Sequence, residues 1–203
     1  MVLLKEFKKS ADDDYENMSV ITGSLRLVLK ALSKGLIPHK DYTSEELTAF
    51  CKSLISNQEK DGSWPVHRPE DEVSEEDEVD FIFFPTQIAC SILSYVNQNY
   101  YSPELHGLNE AISRGLKFSI SKKLKGYGYN NMFQLLESLI IFIEGSVPEL
   151  LNKDPRICPS CYNQLIELKE EIQALLDSGD TKMEYGGDYR EQYEYVLKGL
   201  EGL

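Results

Sequence analysis

The chain has 203 residues, 41% of them hydrophobic, with 34 acidic against 21 basic side chains and a net charge of −13. That is enough apolar chain to build one core, and too much for a disordered segment. The charge argues against nucleic-acid partners and anionic membrane surfaces, because both draw their affinity from Lys and Arg.

No apolar run approaches the roughly 20 residues of a bilayer span. The longest, residues 135–143, is interrupted by Glu137 and Ser138. The opening MVLLKEFKKSADDD lacks the long apolar stretch and small-residue cleavage site of a signal peptide. A cytoplasmic chain without membrane insertion is the expectation.

In chain order, SVITGSLRLVLKAL comes first, with Val20, Ile21, Leu25, Val28, Leu29 and Leu32 at the spacing of a buried helix face. LIPHKDY breaks it. TSEELTAFCKSLISNQ restarts with Thr43 or Ser44 as N-cap and acids in the first turn, and its apolar face is Leu47, Phe50, Cys51, Leu54 and Ile55. EKDGSWPVHRPEDEVSEEDEVDFIFF, with its glycine, prolines and acidic run, reads as a long loop. PTQIACSILSYVNQNY is helical with Pro85 near N1. SPELHGLNEAISRGLKFSISKKL is expected to start at Ser102 as N-cap, with Pro103 at N1 and Glu104 behind it. KGYGYNN turns, and MFQLLESLIIFIEG is a very apolar helix ended by Gly145. CYNQLIELKEEIQALLDSG is amphipathic up to Gly179, DTKMEYGGD turns, and YREQYEYVLKGL closes the chain. The pattern predicts an all-α fold of about seven helices with no strand.

The segments repeat. When residues 83–96 are laid over 130–143, Gln87 falls on Gln134 and Ser91 on Ser138, and the apolar positions coincide. Upstream, 52–64 lies over 117–129, and Trp64 meets Tyr129. The unit is a helix, a glycine-aromatic turn and a second helix. Its best copies are 43–99 and 103–146, within a single domain, 1–203, and the acidic loop 66–82 is an insertion into the first. A weaker third copy runs from CYNQ through KMEYGGD to the last helix. Amphipathic helices align tolerably in many registers; the matching turn chemistry is what favours a repeat.

LISNQEKDGSWP followed by PTQIACSIL resembles the α/α-toroid family, the squalene and terpenoid cyclases and the protein prenyltransferase β subunits. The resemblance covers roughly residues 43–146. It rests on Gln58, Gly62 and Trp64 at the turn, with Thr86 and Gln87 opening the next helix. KGYGY is similar to a diverged second copy with Tyr in place of Trp. The resemblance implies stacked helical hairpins in an open arc, because the chain is far shorter than a closed ring. It also implies a structural role for Gln58, Gly62, Trp64, Gln87 and Gln134. Trp64 would be packed between hairpins, with a ligand-binding role as the alternative.

The family's chemistry is harder to place on these residues. No Asp-x-Asp-Asp, the cyclase acid cluster, is present. DDDYE at 12–16 matches the looser Asp-Asp-x-x-Glu of metal-dependent terpene synthases, without a second metal motif. His39, His67 and His106 lack the context of the prenyltransferase zinc site.

Three other stretches are candidate sites. CPSC pairs Cys158 with Cys161 at the spacing of a zinc half-site or a redox dithiol; no second Cys or His pair follows, so a structural role is also open. The acidic loop 69–80, including Asp77 and Asp80, suits a divalent cation or a basic partner, against the plain alternative of a solvated charge run. Tyr127, Tyr129 and Asn130 in KGYGYNN suit a binding surface or packing between repeats. The expectation is a non-enzymatic binding or adaptor module with a protein partner, a second copy of itself or a small apolar ligand. The alternative is an isoprenoid-handling enzyme or a degenerate relative of one.

Overall fold

The computed structural model describes residues 25–26, 28–30, 32–34, 44–65, 82–100, 103–121, 131–182 and 187–203. Among them the chain is all-α. One antiparallel bridge, Lys182 to Asp188, closes the turn before the last helix.

The leading helix, α1, has described residues 25, 26, 28–30, 32 and 33. Leu25, Val28, Leu29 and Leu32 are buried, the face that the spacing predicts. Next, α2 is Ser44–Ser56 and buries Leu47, Phe50, Cys51 and Leu54. The next helix, α3, Phe84–Asn99, buries every residue from Pro85 to Ser94 and also Val96. A helix covered on all sides belongs in the middle of a fold. It packs on α4, α5 and α6, whose ranges follow.

The start of α4 corrects the expected one. Pro103 and Glu104 are turn residues, and the helix is Leu108–Leu116. Its N-cap is Gly107 at φ 78°, a left-handed backbone that a helix cannot run through. The helix continues as a π-helical turn, Lys117–Ser121.

In α5, Asn131–Glu144, Leu135, Leu136, Leu139, Ile141 and Phe142 are buried. It ends where Gly145 presses on Ser91 of α3, so closely that a Cβ at residue 145 would collide with the Ser91 side chain. A short helix that the sequence pattern did not reveal, α6, Val147–Lys153, follows a left-handed Ser146. A 3₁₀ turn, Pro155–Ile157, leads into α7, Pro159–Ser178. Gly179 at φ 75° stops α7, and the Asp180 N–H bonds back to Leu175 O at 3.1 Å, a Schellman closure. The last helix, α8, is Arg190–Gly199.

These helices lie in two rows. In one row α3 packs on α5 and α5 on α8; in the other, the turn that extends α4 packs on α7. The rows are joined by α3 on α4 and by α7 on α8. Two layers of this kind let each amphipathic helix bury its stripe against the other layer. The ion pair Arg26–Glu144, at 2.9 Å, ties α1 to the end of α5.

Candidate functional site

The turn after α2 is the best-defined polar construction in the molecule. Residues 57–64 fold back on themselves: the Gly62 N–H donates to Glu59 O at 3.0 Å, and the Glu59 N–H donates to Ser63 O at 2.9 Å. Asp61 Oδ1 accepts from both the backbone N–H and the hydroxyl of Ser63, at 2.9 and 2.7 Å. Gly62 has φ 97°, and a Cβ there would stand 2.5 Å from Arg114 O on α4. Glycine is therefore required twice over, for the backbone angle and for the approach of a neighbouring helix.

Gln58 turns that approach into a joint. Its amide Nε2 donates to Gly62 O at 3.0 Å and to Ala111 O on α4 at 2.9 Å. Its Oε1 accepts from the Arg114 guanidinium at 2.7 Å. One side chain thus satisfies its own turn and grips α4 at two points. Lys52 and Glu104 add an exposed ion pair between α2 and the turn before α4. The lysine's hydrogen bond and charge hold the Glu104 carboxyl below its usual range.

Trp64 is 5% exposed. Its indole N–H donates to Leu54 O at 2.7 Å, and its backbone N–H donates to Thr86 Oγ1 at 2.9 Å. Thr86 Oγ1 in turn donates to Ile82 O at 2.5 Å. The ring edge lies against Gly115, where a Cβ would be 2.7 Å from Cζ3 and 3.2 Å from Cys90 Sγ. The indole therefore joins α2, α3 and α4, with its polar edge spent inside the fold. The ring is buried in the fold rather than presented as an open surface.

Gln87 behaves differently from Gln58. It is fully buried on α3, and among the described residues neither atom of its amide has a hydrogen-bond partner. Ser91 and Ser94, one and two turns on, are also fully buried, with hydroxyls that have no partner among the described residues. On the same face Gln98 donates to Ser146 O at 2.6 Å. This seam is the least satisfied part of the core, because an unmade buried hydrogen bond costs about 1–3 kcal/mol. Gln134, its counterpart in the repeat, stands in the first turn of α5.

Cys158 and Cys161 are bonded to each other in a disulfide, both fully buried. Cys158 is the N-cap of α7, with Pro159 behind it. In this form neither sulfur is a free thiolate. Among the described residues no group of three or more His, Cys, Asp or Glu side chains could hold a metal ion. His106 is exposed in the turn before α4.

Tyr127, Tyr129, Asn130, Asp77 and Asp80 lie outside the described residues, as do the side chain of Gln134, His39, His67 and the 12–16 acids. The structure brings Gln58, Gly62 and Trp64 together; it does not bring Gln87 to that joint. Sequence reasoning missed Arg114, which sits in helical register and gives no local signal, because its partner is 56 residues away. Among the described residues Tyr195 is the one exposed large hydrophobic side chain. No described helix is long and apolar enough to cross a membrane.

No protein-family model, curated protein or solved structure matches the chain. Among the described residues the chain is an all-α protein in which Gln58, Gly62 and Trp64 join the turn after α2 to α3 and α4.

Proposed function

We propose that the chain is a non-enzymatic binding module on an α/α-toroid-like scaffold, and that its partner is a protein with a basic face. One observation carries this. The Trp64 N–H to Thr86 Oγ1 bond, buried and 2.9 Å long, ties together the two flanks of the acidic insertion. Trp64 and Thr86, on either side of the insertion in sequence, are therefore held together. Its sequence supplies Glu70, Asp71, Glu72, Glu75, Glu76, Asp77, Glu78 and Asp80. Carboxylates concentrated at one place steer and orient a cationic partner even when each pair contributes little by itself. The net charge of −13 acts in the same direction.

An isoprenoid-handling enzyme of the cyclase kind would need an acid inside the apolar core. The buried polar side chains among the described residues are all Ser, Thr or Gln, which supports the binding module. Glu144 comes nearest to a core carboxylate, at 15% side-chain exposure, and it is held by Arg26.

The test is affinity capture with two baits, the full chain and a chain whose residues 69–80 are replaced by Gly-Ser of equal length. Partners should bind the first, come off with rising salt, and bind the second about tenfold more weakly or worse. The same partners on both baits would refute the role of the insertion. Turnover of a prenyl diphosphate or a polyprene by the purified chain would refute the binding-module reading itself.

A further inference from the structure

We propose that Cys158 and Cys161 form a reversible dithiol–disulfide site that exchanges electrons with low-molecular-weight thiols, with Cys158 as the sulfur that carries the mixed disulfide. The two cysteines are brought together by the fold, with Cα atoms 5.3 Å apart. They occupy the N-cap and N3 positions of α7, a 20-residue helix. Pro159 has no N–H, so the backbone N–H groups of Cys158, Ser160 and Cys161 are the ones without a partner within the helix, and the helix dipole makes the end positive.

The way this end is furnished is the second observation. No side chain makes a capping hydrogen bond to it, and the first turn holds no acidic residue. The same holds at the start of α3, and along α7 the first acid is Glu167. The positive end is left to sulfur. Ser160 Oγ adds a hydroxyl 3.6 Å from Cys158 Sγ. Arg156 stands two residues upstream, already held by Asp154 through a 2.8 Å bond. A thiolate at the Cys158 position is therefore the natural cap, and a stabilised thiolate is both a good leaving group and an available nucleophile.

The step balances. A thiolate RS⁻ attacks Cys158 Sγ, the S–S bond breaks, and Cys161 leaves as a thiolate that takes up a proton. A second RS⁻ attacks the R-side sulfur of the mixed disulfide. RSSR forms, and Cys158 is released as the thiolate at the helix end. Disulfide plus two RSH has become dithiol plus RSSR, with two electrons passed to the protein. Both sulfurs are buried, but Pro159 and Ser160, which lie between them in sequence, are exposed. Entry therefore needs only the first turn of α7 to open, and terminal turns are where local opening costs least.

The other two cysteines provide the contrast. Cys51 and Cys90 are single, buried in the core and free. Burial pushes the Cys51 thiol up to about 12 and the Cys90 thiol up as well. They should take no part in exchange.

The full chain is equilibrated with graded ratios of reduced to oxidised glutathione, approached from both sides, then acid-quenched, denatured, alkylated and weighed intact. The expected result is a reversible passage between two labels and four, because two of the four cysteines stay free throughout. Cys161→Ser, checked for fold by circular dichroism, should then trap glutathione on Cys158 at least roughly tenfold faster than Cys158→Ser traps it on Cys161. A pair that stays oxidised at every ratio until denaturant is added would overturn the proposal. Equal trapping rates would overturn the assignment of Cys158. If either variant fails to fold, the titration of the unaltered chain decides reversibility by itself.

Discussion

Replacing Trp64 by alanine removes the plate on which three helices meet. The indole is 5% exposed, so nearly all of its surface is lost from the core. A buried tryptophan covers about 150–250 Å², which at ~25 cal/mol per Å² comes to roughly 4–6 kcal/mol. That is an upper bound, because the unfolded chain already hides part of the ring. The Leu54 carbonyl is not orphaned by the change: it still accepts the Asn57 N–H at 3.2 Å. The lost indole bond therefore adds no more than about 1 kcal/mol. A net cost of about 3–5 kcal/mol follows, in line with other Trp→Ala changes in cores. In a chain of this length that lowers Tm by roughly 6–20 °C. Urea titration followed by circular dichroism measures it, since the tryptophan emission is lost with the only tryptophan. Trp64→Phe, which keeps most of the plate, should cost about 1–2 kcal/mol. A cost below about 1 kcal/mol for the alanine variant would refute the joint, as would a water-exposed emission spectrum in the unaltered chain.

Gly62→Ala should cost about 2–4 kcal/mol in the same titration, from a left-handed backbone and a Cβ driven into the Arg114 carbonyl; a neutral outcome would mean that α4 does not lie where the turn requires it. Replacing residues 69–80 with a short Gly-Ser linker should leave Tm within about 5 °C, because loop closure costs change slowly with length and the flanks are already tied by Trp64 and Thr86. A collapse would show that the insertion helps to hold the fold. The folded chain keeps the Cys51 thiol neutral up to about 12, whereas in the unfolded chain it ionises from its ordinary value of 9.0. The stability linked to this thiol is thus whole below pH 9 and is lost as pH rises towards 12. Urea midpoints measured across that range should fall less steeply for Cys51→Ala than for the unaltered chain.

Periodicity was enough to read helices around Leu29, Leu54, Ile92, Leu139 and Leu168, because an amphipathic stripe records locally which face will be buried. Turn chemistry was enough to single out Gln58, Gly62 and Trp64, since a positive φ and a lone indole leave marks in the sequence itself. The start of α4 could not be read in this way. Ser-Pro-Glu is a good local helix start, and it was overridden by the left-handed Gly107, which places Leu105 in the core while Pro103 and Glu104 stay in a turn. The short helix α6 was also invisible, because seven residues carry too little periodicity to stand out. Tertiary structure alone decided who answers Gln58. Ala111 and Arg114 lie more than fifty residues away, and their approach depends on glycines at 62 and 115 that let backbone and ring come close. It also decided that Gln87 and Gln58, both read as structural glutamines of the repeat motif, part company. One reaches the carbonyls of Gly62 in its own turn and of Ala111 on α4, and the other is enclosed on α3 with no partner among the described residues. A side chain's partners across the fold are set by packing geometry, and no local pattern encodes that.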